Sequence, residues 1–253
     1  KEILSILSLF MSETTQPLVI ITGASSGIGA ATARLFSENG YPLLLLARRL
    51  EPMEALNLPH TLCRTVDVCD LDSFRDAIRE AEAQFGKAGC LVNNAGVMFC
   101  ADPAKQSVEE WQTMLDVNVR GLLNGIHLVL DDMISRQTGT IVNIGSIAGV
   151  KTFPKHAVYC GTKFAVHAIS ETIRQEVSGS DVRLVTIAPG MVETELVNGS
   201  TDQDAKDGWW NYANEIGGAL QPESIAQSIL FAYQMPQSVC VREMVVCPTR
   251  QEP

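Results

Sequence analysis

Leu18-Val19-Ile20-Ile21-Thr22-Gly23-Ala24-Ser25-Ser26-Gly27-Ile28-Gly29 is the stretch that decides the fold. Leu18 to Thr22 is an apolar run without polar alternation, as expected of a central strand covered on both faces. Ala30 to Glu38 reads as a helix ended by Asn39-Gly40. Between them stand three glycines spaced G-x-x-x-G-x-G. Strand, glycine turn and helix start form a phosphate-binding corner. Glycines let the backbone approach a diphosphate, and the first N–H groups of a helix have no partner within it. An unliganded glycine turn would use the same letters, but the strand before and the helix after weigh against it. The spacing also departs from the G-x-G-x-x-G of the common dinucleotide fingerprint.

Outward from that corner, strands and helices alternate. Leu43 to Leu46 reads as the second strand, Leu62 to Val68 as the third, and Leu71 to Phe85 as a helix with Asp70 at its N-cap. Cys90 to Val92 is a short fourth strand running into Asn93-Asn94-Ala95-Gly96, whose amides can bridge neighbouring strands. Ser107 to Arg136 reads as one long helix, with Ser107 and Glu110 as a capping box. Gly121 and Gly125 on it are costly unless something packs closely against them. Thr140 to Ile144, Val182 to Ala188 and Val239 to Cys247 complete the strands, and Phe164 to Val177 and Pro222 to Gln234 the helices. Met191 to Gly218 is polar and irregular, which suits a lid over a pocket. The pattern predicts an α/β fold over 17–253, a single doubly wound parallel sheet of Rossmann type with helices on both faces. Residues 1–16 stand apart as an N-terminal extension.

Charge narrows the partners. A net charge of -10 argues against nucleic acid, so an anionic ligand must meet locally placed cations. Arg48 lies 19 residues beyond Gly29, where an acid would bind ribose hydroxyls of an unphosphorylated cofactor. Here Ala47 precedes two guanidiniums, Arg48 and Arg49, which suit a 2′-phosphate and hence NADP(H). A solvated basic pair after a strand is the bland alternative. Asp67 and Val68 end the third strand, where an adenine edge would lie. Seven cysteines include no C-x-x-C pair, so neither zinc nor a disulfide framework is expected, and free thiols fit a reducing cytoplasm. Lys1 to Phe10 is apolar and precedes Met11. It lacks a signal-peptide cleavage site and is too short to span a bilayer, so vector-derived or upstream sequence with Met11 as the natural start is the simpler reading. No membrane segment is expected elsewhere.

Tyr159-Cys160-Gly161-Thr162-Lys163 carries the chemistry. Residues four apart on a helix share a face. A lysine ammonium beside a phenol lowers its pKa, so it can trade a proton near neutral pH. Such a pair is common by chance; its company is what matters. Thr22-Gly23-x-x-x-Gly27-Ile28-Gly29, Asn93-Asn94-Ala95-Gly96, Asn118, Ser146, Tyr159-x-x-x-Lys163 and Pro189-Gly190-x-Val192-x-Thr194 follow in an order that resembles the classical short-chain dehydrogenase/reductase family, over Pro17 to Pro248.

The resemblance implies roles. Tyr159 is the general acid in reduction and the base in oxidation, Lys163 lowers its pKa and holds the nicotinamide ribose, and Ser146 bonds the substrate oxygen. Asn118 supports a water that relays protons to Lys163. Gly23, Ser25, Ser26, Gly27, Ile28 and Gly29 line the diphosphate of NADP(H). Asp67 and Val68 bind adenine, Asn94, Ala95 and Gly96 the ribose region, and Pro189, Gly190, Val192 and Thr194 the nicotinamide end. The substrate is a small carbonyl or alcohol. The family's habit of pairing two long helices across subunits implies a homotetramer, here through Ser107 to Arg136 and Phe164 to Val177. Met98, Phe99, Trp209, Trp210 and Tyr212 are candidates for an apolar pocket or for packing. No carboxylate clamp stands out, with Lys151, Lys155 and Lys206 the basic candidates. Within the family, Met11-Ser12-Glu13 through Phe36 resembles the NADPH-dependent blue fluorescent proteins, whose emission comes from the bound reduced cofactor. That leaves a binder with slow turnover as the alternative to an enzyme.

Overall fold

A computed structural model describes residues 16–252; the readings of residues 1–15, including Met11 as a start, lie outside them. Seven strands form one sheet in the order β3-β2-β1-β4-β5-β6-β7, every pairing parallel. They are β1 (Leu18–Thr22), β2 (Leu43–Ala47), β3 (Thr61–Thr65), β4 (Ala88–Asn93), β5 (Gly139–Ile144), β6 (Val182–Pro189) and β7 (Glu243–Val246). The helices are α1 (Gly27–Glu38), α2 (Glu51–Glu54), α3 (Leu71–Phe85), α4 (Val108–Leu115), α5 (Leu122–Arg136), α6 (Ala157–Glu176), α7 (Gln203–Glu215) and α8 (Pro222–Gln234).

Alternation along the strands divides the core. Leu18, Ile20, Leu44, Leu46, Leu91, Ile141 and Leu184 face one side, with Phe74 and Ile78 of α3, Ile126 and Val129 of α5, and Val166 of α6. Val19, Ile21, Leu43, Leu45, Val92, Val142 and Val185 face the other, with Ala33 and Phe36 of α1 and Ile225 and Ile229 of α8. Burial on both faces is why β1 and β2 are almost continuously apolar in sequence. The chain winds outward from β1 to β3, then returns to lay β4 beside β1. Ligands of open α/β sheets bind at such a reversal, outside the carboxyl ends of the strands. Both the glycine turn after β1 and Asn94 after β4 lie there.

Several boundaries differ from expectation. The helix read over Ser107 to Arg136 is interrupted by a π-helical segment, Asp116–Gly121. A Cβ on Gly121 would strike Val68, and one on Gly125 would strike Asn93, the close packing that offsets two helix glycines. Residues 203–215, expected to be irregular, form α7, capped by Asp202 accepting from the Ala205 N–H. It follows a 3₁₀ turn, Glu195–Gly199. Helix α6 begins at Ala157, ahead of the apolar run that announced it, and so carries Tyr159 and Lys163. The last strand is four residues rather than nine, since the Val239 N–H turns back to the Pro236 carbonyl. No helix among the described residues is long and apolar enough to cross a membrane.

Candidate active site

The glycine turn is held from three sides. The Ala24 N–H donates to the Leu46 carbonyl at 3.2 Å. Asn94 Nδ2 donates to the carbonyls of Thr22 (2.9 Å) and Gly23 (3.1 Å). The N–H groups of Asn94 and Ala95 both donate to Thr22 Oγ1 at 3.0 Å. Gly23 has φ +65°, and a Cβ there would sit 2.8 Å from Ala95 Cα; a Cβ on Gly29 would strike the Gly23 carbonyl. The turn therefore closes only with glycine at both positions. At the start of α1, Ser26 makes no side-chain cap and the first turn holds no acid. Its N–H groups are thus left for an anion, so the corner fits a dinucleotide diphosphate.

A cavity of about 1180 Å³ runs from this turn to the Tyr159 region. Its walls include Gly23, Ser25, Ser26, Gly27, Ile28, Arg48, Arg49, Asp67, Val68, Asn94, Ala95, Gly96, Pro189, Gly190, Val192 and Thr194, together with Ser146, Tyr159 and Lys163. Gly29 and Asn118 lie behind the lining. Arg49 donates to Ser25 Oγ at 3.4 Å and pairs with Glu195 at 3.3 Å, both side chains largely in solvent. Asp67 Oδ1 accepts from the Cys69 N–H at 2.9 Å, which ends β3 early and turns the chain along the cavity edge.

At the other end, Ser146 follows β5, and Tyr159 and Lys163 face it from α6. All three are buried. Lys163 Nζ donates to the Ile144 carbonyl at 2.8 Å and stands 5.8 Å from the centroid of the Tyr159 ring. The expectation of an acidified phenol is not met. Burial pushes the Tyr159 phenol above its usual range, against the contrary pull of the Ser146 hydroxyl. Burial also lowers the Lys163 ammonium to about 8. Desolvation penalises the charged form of each group and is the largest cause in both.

Asn118 is buried beside the loop after β4. Its Oδ1 accepts from the Val97 N–H at 2.8 Å, and its Nδ2 donates to the Val97 carbonyl (2.9 Å) and Thr162 Oγ1 (3.1 Å). The side chain is thereby committed to fixing the Gly96-Val97 segment from the π-helical turn, a type of irregularity common at functional sites.

Sequence reasoning missed two histidines. His167, one turn beyond Lys163, accepts from the Ser146 N–H through Nε2 at 3.4 Å, and its Nδ1 lies 3.4 Å from Glu243. His156 lines the cavity three residues before Tyr159. Proximity to the tyrosine was the available signal for both. Of the pocket candidates, Met98, Phe99, Lys155, Trp209 and Tyr212 line the cavity; Trp210, Lys151 and Lys206 do not. No group of three or more His, Cys, Asp or Glu among the described residues could hold a metal ion.

The short chain dehydrogenase family model matches residues 17–205. An uncharacterised oxidoreductase of Staphylococcus saprophyticus is 40% identical over 247 residues, spanning 95% of this chain and 99% of that protein. Sulfoacetaldehyde reductase 2 of Chromohalobacter salexigens is 37% identical, over 92% of this chain and 95% of its own. Among solved structures, the closed form of a serine dehydrogenase complexed with NADP+ superposes with a TM-score of 0.87 at 31% identity, covering 93% of this chain and 96% of that one. The chain belongs to the short-chain dehydrogenase/reductase family of oxidoreductases.

Proposed function

We propose that this chain is an NADP(H)-dependent oxidoreductase interconverting a carbonyl compound and its alcohol, with Tyr159 as the proton donor in reduction. The carrying observation is that Ser146, Tyr159 and Lys163 line the same cavity as the glycine turn and the Arg48-Arg49 corner. Reduced nicotinamide supplies the hydride when bound. Ser146 orients the carbonyl oxygen, and Tyr159 passes its proton to that oxygen as the carbon accepts the hydride, leaving a phenolate. Lys163 stabilises that anion until solvent returns the proton. The Tyr159 phenol is protonated at neutral pH, the form that a proton donor needs. The test is to follow NADPH loss across a panel of aldehydes and ketones.

A pH profile follows from the lysine. Its charge is present below about 8 and lost above. Reduction should therefore hold from near pH 6 to about 8 and fall beyond, measured as kcat/KM with NADPH; a rate still climbing above pH 9 would contradict the role given to Lys163.

Arg48 and Arg49 are the phosphate-selecting pair in this reading. Replacing both with alanine should weaken NADPH binding by about 10²-fold, at roughly 1–3 kcal/mol for a charge-assisted contact, and NADH binding by less than about threefold. Titrations with both cofactors decide it; equal losses would remove the case for phosphate recognition.

A second reading, a binder known by blue emission of captured NADPH, draws on the same cavity. A dinucleotide reaching from the glycine turn to Tyr159 would be held extended, with nicotinamide kept off its own adenine. Emission that persists with every carbonyl compound would favour it. Assembly is part of the proposal too. Val108, Leu115 and Leu123 along α4 and α5, with Phe164 on α6, are exposed apolar side chains, which suits pairing of these helices between subunits into a tetramer.

A further inference from the structure

The wall above Tyr159 is unusually fixed for a loop. Lys155 has φ +63°, a left-handed conformation that a non-glycine residue adopts only when its surroundings impose it. Its carbonyl is tied to the Ala101 N–H at 3.0 Å, and the His156 N–H is tied to the Phe153 carbonyl at 3.2 Å. The His156 ring stands edge-on between Phe153 (centroids 6.1 Å apart) and Tyr159 (6.4 Å). His156 Nδ1 lies 2.7 Å from the Pro154 carbonyl. A carbonyl can only accept, so Nδ1 carries the proton. Burial lowers the pKa of this ring, which keeps it neutral at pH 7 and leaves Nε2 a bare acceptor. The ring borders the cavity, and no described residue bonds to Nε2.

We propose that His156 is a specificity-determining residue whose Nε2 accepts a hydrogen bond from a hydroxyl carried one or two carbons from the reacting carbonyl, so that uncharged hydroxycarbonyl compounds are preferred over carboxylates. The inference rests on the oxidoreductase reading above and names its substrate class. Charge at this end of the cavity supports it. Lys163 is given to the Ile144 carbonyl. Lys155, the other lysine on the wall, lies 3.7 Å from Asp202, and Asp204 also lines the cavity. An anionic substrate would find each lysine already engaged and an acid nearby, and a bare acceptor nitrogen would repel its oxygens. A hydroxyl would donate to that nitrogen, while its carbon chain packs on Phe153 and Trp209.

Three compounds differing at one carbon provide the test: 2-butanone, 1-hydroxy-2-butanone and 2-oxobutanoate, each with NADPH. The expected kcat/KM for the hydroxyketone exceeds that for 2-butanone by about tenfold or more, because a site built to receive a hydroxyl discriminates against its absence. The carboxylate should be the poorest of the three. In His156→Phe the hydroxyketone preference should fall below about threefold. His156→Gln, which offers an amide oxygen as acceptor, should retain part of it. No hydroxyl preference in the wild-type chain, a preference unchanged in His156→Phe, or the carboxylate as best substrate would each overturn the proposal and leave the oxidoreductase reading standing. NADPH that binds, as read by its emission, but is oxidised by none of the three would overturn both.

Discussion

Tyr159→Phe is expected to lower kcat for carbonyl reduction by about 10²–10⁴-fold, the contribution of a positioned general acid, while changing NADPH affinity by less than about threefold. The variant removes one oxygen from a buried ring and leaves its packing beside His156 intact. Ser146 keeps a partner, since its Oγ also accepts from the Ala148 N–H at 3.0 Å. The diphosphate turn and the Arg48-Arg49 corner lie at the far end of the cavity and do not depend on the phenol. Binding and chemistry should therefore separate cleanly. A titration of NADPH emission reads the first, and loss of NADPH absorbance with a carbonyl substrate reads the second. Reduction retained within tenfold of the parent would mean that Ser146 or water delivers the proton, and Tyr159 would lose its role. Emission that collapsed with the rate would make the phenol a binding group instead.

What could be read from the sequence follows from how local each feature is. The strands Leu18–Thr22, Leu43–Ala47 and Val182–Pro189 announced themselves because both faces are buried, so every position is buried and nearly all are apolar, Thr22, Arg183 and Thr186 excepted. The glycine turn, the Asn94 bridge and the Tyr159-Lys163 pair are set by neighbours close in the chain or by fixed geometry between adjacent strands. Helix α7 was hidden because only Ala205 and Ala213 are buried along it, too few for an apolar stripe. The π-helical turn depends on Asn118 finding Val97 and Thr162, contacts spanning 21 and 44 positions that no local pattern encodes. The phenol's protonation went the wrong way for a related reason. Charge proximity is visible at i, i+4, whereas desolvation is a property of the whole packed surround.

The same desolvation makes Lys163→Met an informative substitution, since it should raise stability while abolishing turnover. Lys163 is 6% exposed, with its ammonium lowered from 10.5 to about 8. At about 1.4 kcal/mol per pKa unit, keeping it charged costs the fold about 3 kcal/mol at neutral pH. Methionine fills similar space without charge, but leaves the Ile144 carbonyl unpartnered, a loss of roughly 1–3 kcal/mol. The net gain should be about 1–2 kcal/mol, a rise in Tm of about 2–6 °C for a chain of this size. The folded-state pKa lies below the unfolded value, so the penalty is fully present below about 8 and fades as pH rises toward 10.5, where both states are neutral. The stability difference between parent and variant should therefore be largest near pH 7 and shrink or reverse by about pH 10. Thermal melts of both proteins at those two pH values read it. A variant less stable than the parent at pH 7 would show that the bond to Ile144 outweighs desolvation. A more stable but inactive variant would identify Lys163 as a residue retained against the interest of the fold, because the phenolate left by proton donation needs a cation beside it.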